Sequence, residues 1–93
     1  MFEWDPVKNA SNRRKHGISF EEATEIFDGP VLSRQDDDIH GERRERSYGL
    51  MQGVVIVCVV HTDRGGARRI ISARKATKKE REEFHAYLTE AIG

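Results

Sequence analysis

Residues 54–76, VVIVCVVHTDRGGARRIISARKA, decide the fold. The stretch opens with seven apolar residues in a row, 54–60. It turns at Asp63-Arg64-Gly65-Gly66 and returns with Ile70 and Ile71 among arginines. A β-branched run bounded by turn residues reads as a buried strand, and two such runs around a glycine pair read as a β-hairpin. Strict alternation along the returning arm puts Ile70, Ser72 and Arg74 on one face. Arg69, Ile71, Ala73 and Lys75 then take the other. One arm is built for a core; the other is loaded with cations.

Upstream of the hairpin, Phe2-Glu3-Trp4 reads as a short strand. Asp5-Pro6 opens a helix, since Asp accepts from free N–H groups and Pro suits the first helical position. That helix has a basic end, Arg13-Arg14-Lys15-His16, favoured by the helix dipole, and stops at Gly17. Ser19-Phe20-Glu21-Glu22 is a capping box for a second helix, with Phe20, Ala23, Ile26 and Phe27 as its apolar stripe and Asp28-Gly29-Pro30 as its end. Val31-Leu32-Ser33-Arg34 reads as a strand and residues 43–51 as another. Between them QDDDIHGE (35–42) is read as a solvated acidic loop rather than a metal site, because no tight ligand pattern surrounds the aspartates. Gln52-Gly53 turns into the hairpin. Thr77-Lys78-Lys79-Glu80 is a capping box for a last helix, with Phe84, Tyr87, Leu88, Ala91 and Ile92 at helical spacing.

The order β-α-α-β-β-β-β-α predicts one α+β domain over residues 1–93. Its sheet is an antiparallel meander of four to five strands, with the helices of both ends on one face. No stretch is long and apolar enough for a membrane span, and MFEWDP has no signal-peptide character, so the cytoplasm is the expected compartment. The lone Cys58 sits in the apolar run and is read as a buried structural thiol.

The 16 basic and 16 acidic residues cancel, but they are not mixed evenly. Residues 61–81 hold eight Lys/Arg against Asp63 and Glu80, which makes that segment net +6 and the remainder net −6. Such segregation draws a polyanion to one side. The competing reading is a solvated hairpin edge whose cations block strand pairing.

Catalytic signatures such as a P-loop, a G-x-S-x-G elbow, H-E-x-x-H or paired zinc cysteines are absent. What remains is cations, four histidines, a tyrosine and carboxylates. That inventory suits RNA cleavage: the 2′-hydroxyl is the substrate's own nucleophile, and the reaction needs acid–base groups and cations around the phosphate rather than a metal. Arginine holds two phosphate oxygens in a planar fork. His61, at the end of the apolar strand, titrates near neutrality as an acid or base, or else caps the strand. His16 has the same two readings at a helix end. His40 and His85 read as surface residues, and Tyr48 as core or as a base-stacking ring.

Several blocks carry a resemblance. FEWDP with Lys8-Asn9, RKHGISFEEA (14–23), IFD (26–28), HTDRG (61–65), RIISARKAT (69–77) and Glu80-Arg81 together resemble the BrnT toxin family almost end to end. The resemblance implies a RelE-like α+β fold and a type II toxin that works as a ribonuclease and arrests translation without a cofactor. It also implies a BrnA-like ribbon-helix-helix antitoxin and operator DNA bound through the complex; the basic, partly apolar surface in turn invites an acidic amphipathic segment from such a partner. On this basis Arg74 is expected to grip the scissile phosphate, with Arg64, Arg69, Lys75 and Lys15 binding RNA. His61 is expected to act as acid or base with His16 brought near it. The alternative is a non-catalytic co-repressor subunit that binds the antitoxin and touches nucleic acid through its basic hairpin.

Overall fold

The computed structural model describes residues 1–36 and 43–92. Strand β1 is Phe2–Glu3 and helix α1 is Pro6–His16. One turn of α2, Phe20–Ala23, continues as a 3-10 segment, Thr24–Asp28. Strands β2 (Leu32–Asp36), β3 (Arg44–Met51), β4 (Val55–Arg64) and β5 (Ala67–Lys75) follow, and α3 is Lys78–Ile92. No helix among the described residues is long and apolar enough to cross a membrane. Asp37, Asp38, His40 and Glu42 lie outside the described residues, and with them most of the expected acidic loop.

The punctuation works as the sequence predicts. Asp5 accepts from the Val7 N–H at 2.8 Å, and the Gly17 N–H closes α1 on the Arg13 carbonyl at 2.9 Å. Ser19 and Glu22 bond each other's backbone N–H, both at 3.1 Å, as a capping box does. Gly65 and Gly66 take φ of 53° and 86°, the left-handed pair that a two-residue hairpin turn requires.

The sheet order is β1-β5-β4-β3-β2. From β2 to β5 it is the expected antiparallel meander; β1 joins the far edge in parallel with β5, so the sheet is mixed. The expectation that the helices share one face is corrected. α2 and its 3-10 extension bury Phe20, Ala23 and Ile26 on Val57, Val59, Ile70 and Ala73. α3 buries Phe84 on Tyr48, Ile56 and Cys58, which lie on the opposite face. The cause is in β4, whose inner residues are apolar at both parities, so each face needs a cover. Gly49 of β3 lets the first layer close: a Cβ there would stand 2.7 Å from the Ile26 Cβ.

A second correction concerns β5. Val60 pairs with Ser72 but His61 pairs with Ile70, so Ile71 is an extra residue and the alternation slips by one. Ile70 and Ala73 therefore face the same core. Arg69, Ser72 and Arg74 share the other face, against the expectation that Arg69 and Arg74 point apart.

Beyond its two-residue pairing with β1, the β5 edge is closed by a side chain. The Asn12 amide donates to the Ala73 carbonyl at 2.8 Å and accepts from the Ala73 N–H at 3.2 Å, as a neighbouring strand would. It also donates to the Ile18 carbonyl at 2.9 Å. Asn12 is buried, so its loss strands backbone groups without water. Asn12→Ala is expected to destabilise the fold by roughly 2–3 kcal/mol, read as a lower denaturation midpoint at an unchanged m value.

Candidate functional site

The face of the sheet that carries α3 collects the cations. Register puts Arg34 opposite Arg46, Arg46 opposite Val60, and Val60 opposite Ser72 on this face. One step along, Leu32, Tyr48, Cys58 and Arg74 form a second row, which α3 covers. Arg69 pairs with Thr62 further out, and Arg64 follows on the same parity.

Arg74 is the most tightly held of these arginines. Its guanidinium donates to both oxygens of Glu80, at 2.7 and 3.0 Å, and to the Lys75 carbonyl at 3.3 Å. Glu80 is buried and fixed by the capping box: its carboxylate accepts from the Thr77 N–H at 2.9 Å, and its own N–H donates to the Thr77 hydroxyl at 3.2 Å. The Arg74 bonds hold the Glu80 carboxyl down at about 2, and the same contact raises Arg74 further above its ordinary value. Arg34 and Arg46 are held less closely. Arg46 stands 3.4 Å from Asp36 and 3.8 Å from Glu80, and Arg34 stands 3.9 Å from Glu83. Arg69 pairs with Glu3 at 3.0 Å at the outer end of the face. Arg34, Arg46 and Lys79, with the carboxylates Glu80 and Glu83 and the Tyr48 ring, line a groove of about 500 Å³ between the sheet and the first turns of α3.

His61 lies on the opposite face, fully buried. Its Nε2 shares a 2.7 Å hydrogen bond with the Ser47 hydroxyl, which shares another of 2.7 Å with Ser33. The Phe27 ring meets it edge-on at 5.4 Å, and Arg68 lies over that ring while pairing with Asp63 at 3.0 Å. Burial, followed by the Arg68 charge, pushes the His61 pKa down, so at neutral pH the ring is uncharged. The expected strand-end acid or base is thus a sealed core histidine. Tyr48 is likewise core, and burial pushes its phenol up.

The structure does not bring the expected catalytic trio together. Arg74 and His61 are separated by the thickness of the sheet. α1 is held to the outer edge of β5 by Asn12 at Ala73, whereas His61 lies on β4 under Phe27, and among the described residues no hydrogen bond or ion pair joins Lys15 or His16 to His61 or Arg74. Lys75 pairs with Val57 and faces the α2 side. Of the expected RNA-binding residues, Arg64 and Arg69 share the face of Arg74. Arg34 and Arg46 escaped the sequence reading. Alternation with Tyr48 was a signal for Arg46, but the pairing of Arg34 depends on a connection that no turn motif fixes.

A five-stranded mixed sheet covered by helices on both faces, with a groove lined by charged side chains beside α3, defines the class: a small α+β protein. The chain belongs to the BrnT family; the model described as "Ribonuclease toxin, BrnT, of type II toxin-antitoxin system" matches residues 4–80. The crystal structure of the Brucella abortus ribonuclease toxin BrnT aligns with a TM-score of 0.64 at 27% identity, over 84% of this chain and 99% of that one. No curated protein matches this sequence. Family membership makes the chain a ribonuclease toxin of a type II system, in which an antitoxin is the implied partner.

Because Glu80 is depressed in the fold, its contribution is present above the ordinary carboxylate range and is lost as pH falls through about 2. Glu80→Gln is expected to remove on the order of 3 kcal/mol at pH 7 and to flatten the loss of stability between about pH 4.5 and 2. Urea denaturation across that window checks both.

Proposed function

We propose that the chain is a metal-independent endoribonuclease that arrests translation by cutting RNA on the α3 face of its sheet. The observation that supports this best is the slip at Ile71, which turns Arg69 and Arg74 toward the same side as Arg46. A phosphodiester crossing that face meets several guanidinium groups, and charge developing on the phosphate is met by donors already in place. The 2′-hydroxyl supplies the nucleophile, so the protein's contribution is positioning and charge. Arg69 and Arg64 contact the strand in this reading, and Arg74, whose fork Glu80 fills, orients the start of α3. Lys75, Lys15, His16 and His61 take no part in contacting RNA: the first three lie off this face, and His61 stabilises the Ser33–Ser47 chain beneath β3.

The antitoxin in this reading is BrnA-like, with a ribbon-helix-helix part that carries the complex to operator DNA. Its toxin-binding segment is acidic and amphipathic, which suits a face of arginines beside apolar residues. The placement of both His61 and His16 away from the cations favours one second reading, a non-catalytic co-repressor that uses the face to hold nucleic acid.

Purified protein incubated with mRNA in EDTA separates the two. The expected result is cleavage that persists in chelator and falls at least about tenfold in Arg69→Gln, since one charge-assisted phosphate contact is worth more than 1 kcal/mol. Cleavage abolished by EDTA removes the metal-independent mechanism, and binding without cleavage favours the co-repressor.

A further inference from the structure

The nuclease reading leaves open which group grips the phosphate, and Arg74 is poorly suited to do so. Both fork positions already hold a carboxylate with near-ideal geometry, and that carboxylate is locked by Thr77. Removing Glu80 from the fork would also uncouple β5 from α3. The next row outward is different. Arg34 and Arg46 stand directly opposite each other across β2 and β3, on the same face. Like charges at directly opposed positions destabilise a sheet. Among the described residues the carboxylates stand 3.4, 3.8 and 3.9 Å from them, long for a charge-assisted hydrogen bond. The Nε of Arg46 is buried, makes no hydrogen bond among the described residues and stands 3.4 Å from the Asp36 carboxylate. Both arginines line the 500 Å³ groove together with Lys79, Glu80 and Glu83.

A buried donor held only by a long ion pair, two opposed cations and an open groove are together the complement of one anionic group that bridges them. We propose that Arg34 and Arg46 form a two-arginine seat for one phosphodiester of the bound RNA, and that Arg74 is a positioning residue that sets the wall of the groove through Glu80. This rests on the ribonuclease reading of the same face. The seat explains the opposed pair: a phosphate between the two guanidinium groups turns their repulsion into two attractions. It also predicts recognition by shape and charge at this point, since phosphate contacts fix register without reading bases.

The probe is a fluorescein-labelled 2′-O-methyl oligoribonucleotide, which binds but lacks the nucleophile. Anisotropy titrations at several salt concentrations are paired with cleavage of the unmodified oligonucleotide in EDTA. Arg34→Gln and Arg46→Gln are each expected to weaken binding about fivefold or more and to lower the salt slope by roughly one, with the double variant losing both contacts. Arg34→Lys and Arg46→Lys keep the charge and so the slope, but lose affinity with the fork. Arg13→Gln, on the distant outer side of α1, changes neither. Wild-type cleavage with unchanged binding and slope in the double variant overturns the seat and leaves the ribonuclease reading standing. The same result accompanied by lost affinity for an acidic peptide assigns the pair to a protein partner and also overturns it. A wild-type chain that neither binds nor cuts overturns the ribonuclease reading, and the seat with it.

Discussion

The extra residue at Ile71 governs which groups meet. Without it, Ala73 could face the α2 layer only if Ile71 and Arg69 did so too. With it, Ile70 takes the buried place, and Arg68 stands at the rim of that face over the Phe27 ring, paired with Asp63. Arg69 is sent out beside Arg74. One bend thus decides both which isoleucine enters the core and which arginine joins the α3 face.

Much of this architecture can be read from residues whose conformational needs are local. Asp5-Pro6, Ser19 with Glu22, Thr77 with Glu80, and the Gly65-Gly66 turn each specify backbone geometry within four residues, and each behaves accordingly. The failures come where the answer depends on distant parts of the chain. No residue near Ile71 marks a slip, because both members of the Ile70-Ile71 pair fit either face. Nothing in Phe2-Glu3 shows that it pairs in parallel with β5. The position of α3 does have a signal in the sequence: a strand apolar at both parities asks for two covers. His61 is the instructive residue in the site. It sits one step past an apolar run, which suggests a strand end, yet the strand continues to Arg64 and the histidine lies under Phe27.

The arginines of the α3 face are graded by how far their carboxylates stand away. Arg74 is closed by a buried acid whose own backbone is capped; Arg34 and Arg46 are balanced only at longer range. The gradient runs between two neighbouring rows of the same face. The groove they border carries acids as well as cations: Glu80 is locked into the wall by Arg74, while Glu83 stands 3.9 Å from Arg34. Both partners of the bond that anchors α3, Arg74 and Glu80, fall within the family match.

Cys58 closes the account of α3. The helix roofs the row in which this sulfur lies, and burial lifts its pKa to about 11. At neutral pH it is therefore a protonated thiol, neither nucleophilic nor easily oxidised. A peroxide or an electrophile that disables thiolate enzymes in the same surroundings finds no thiolate to attack while the helix is seated. The chain's lone sulfhydryl is thus sheltered by the same docking that shapes the groove, and chemical endurance follows from the fold without any residue devoted to it.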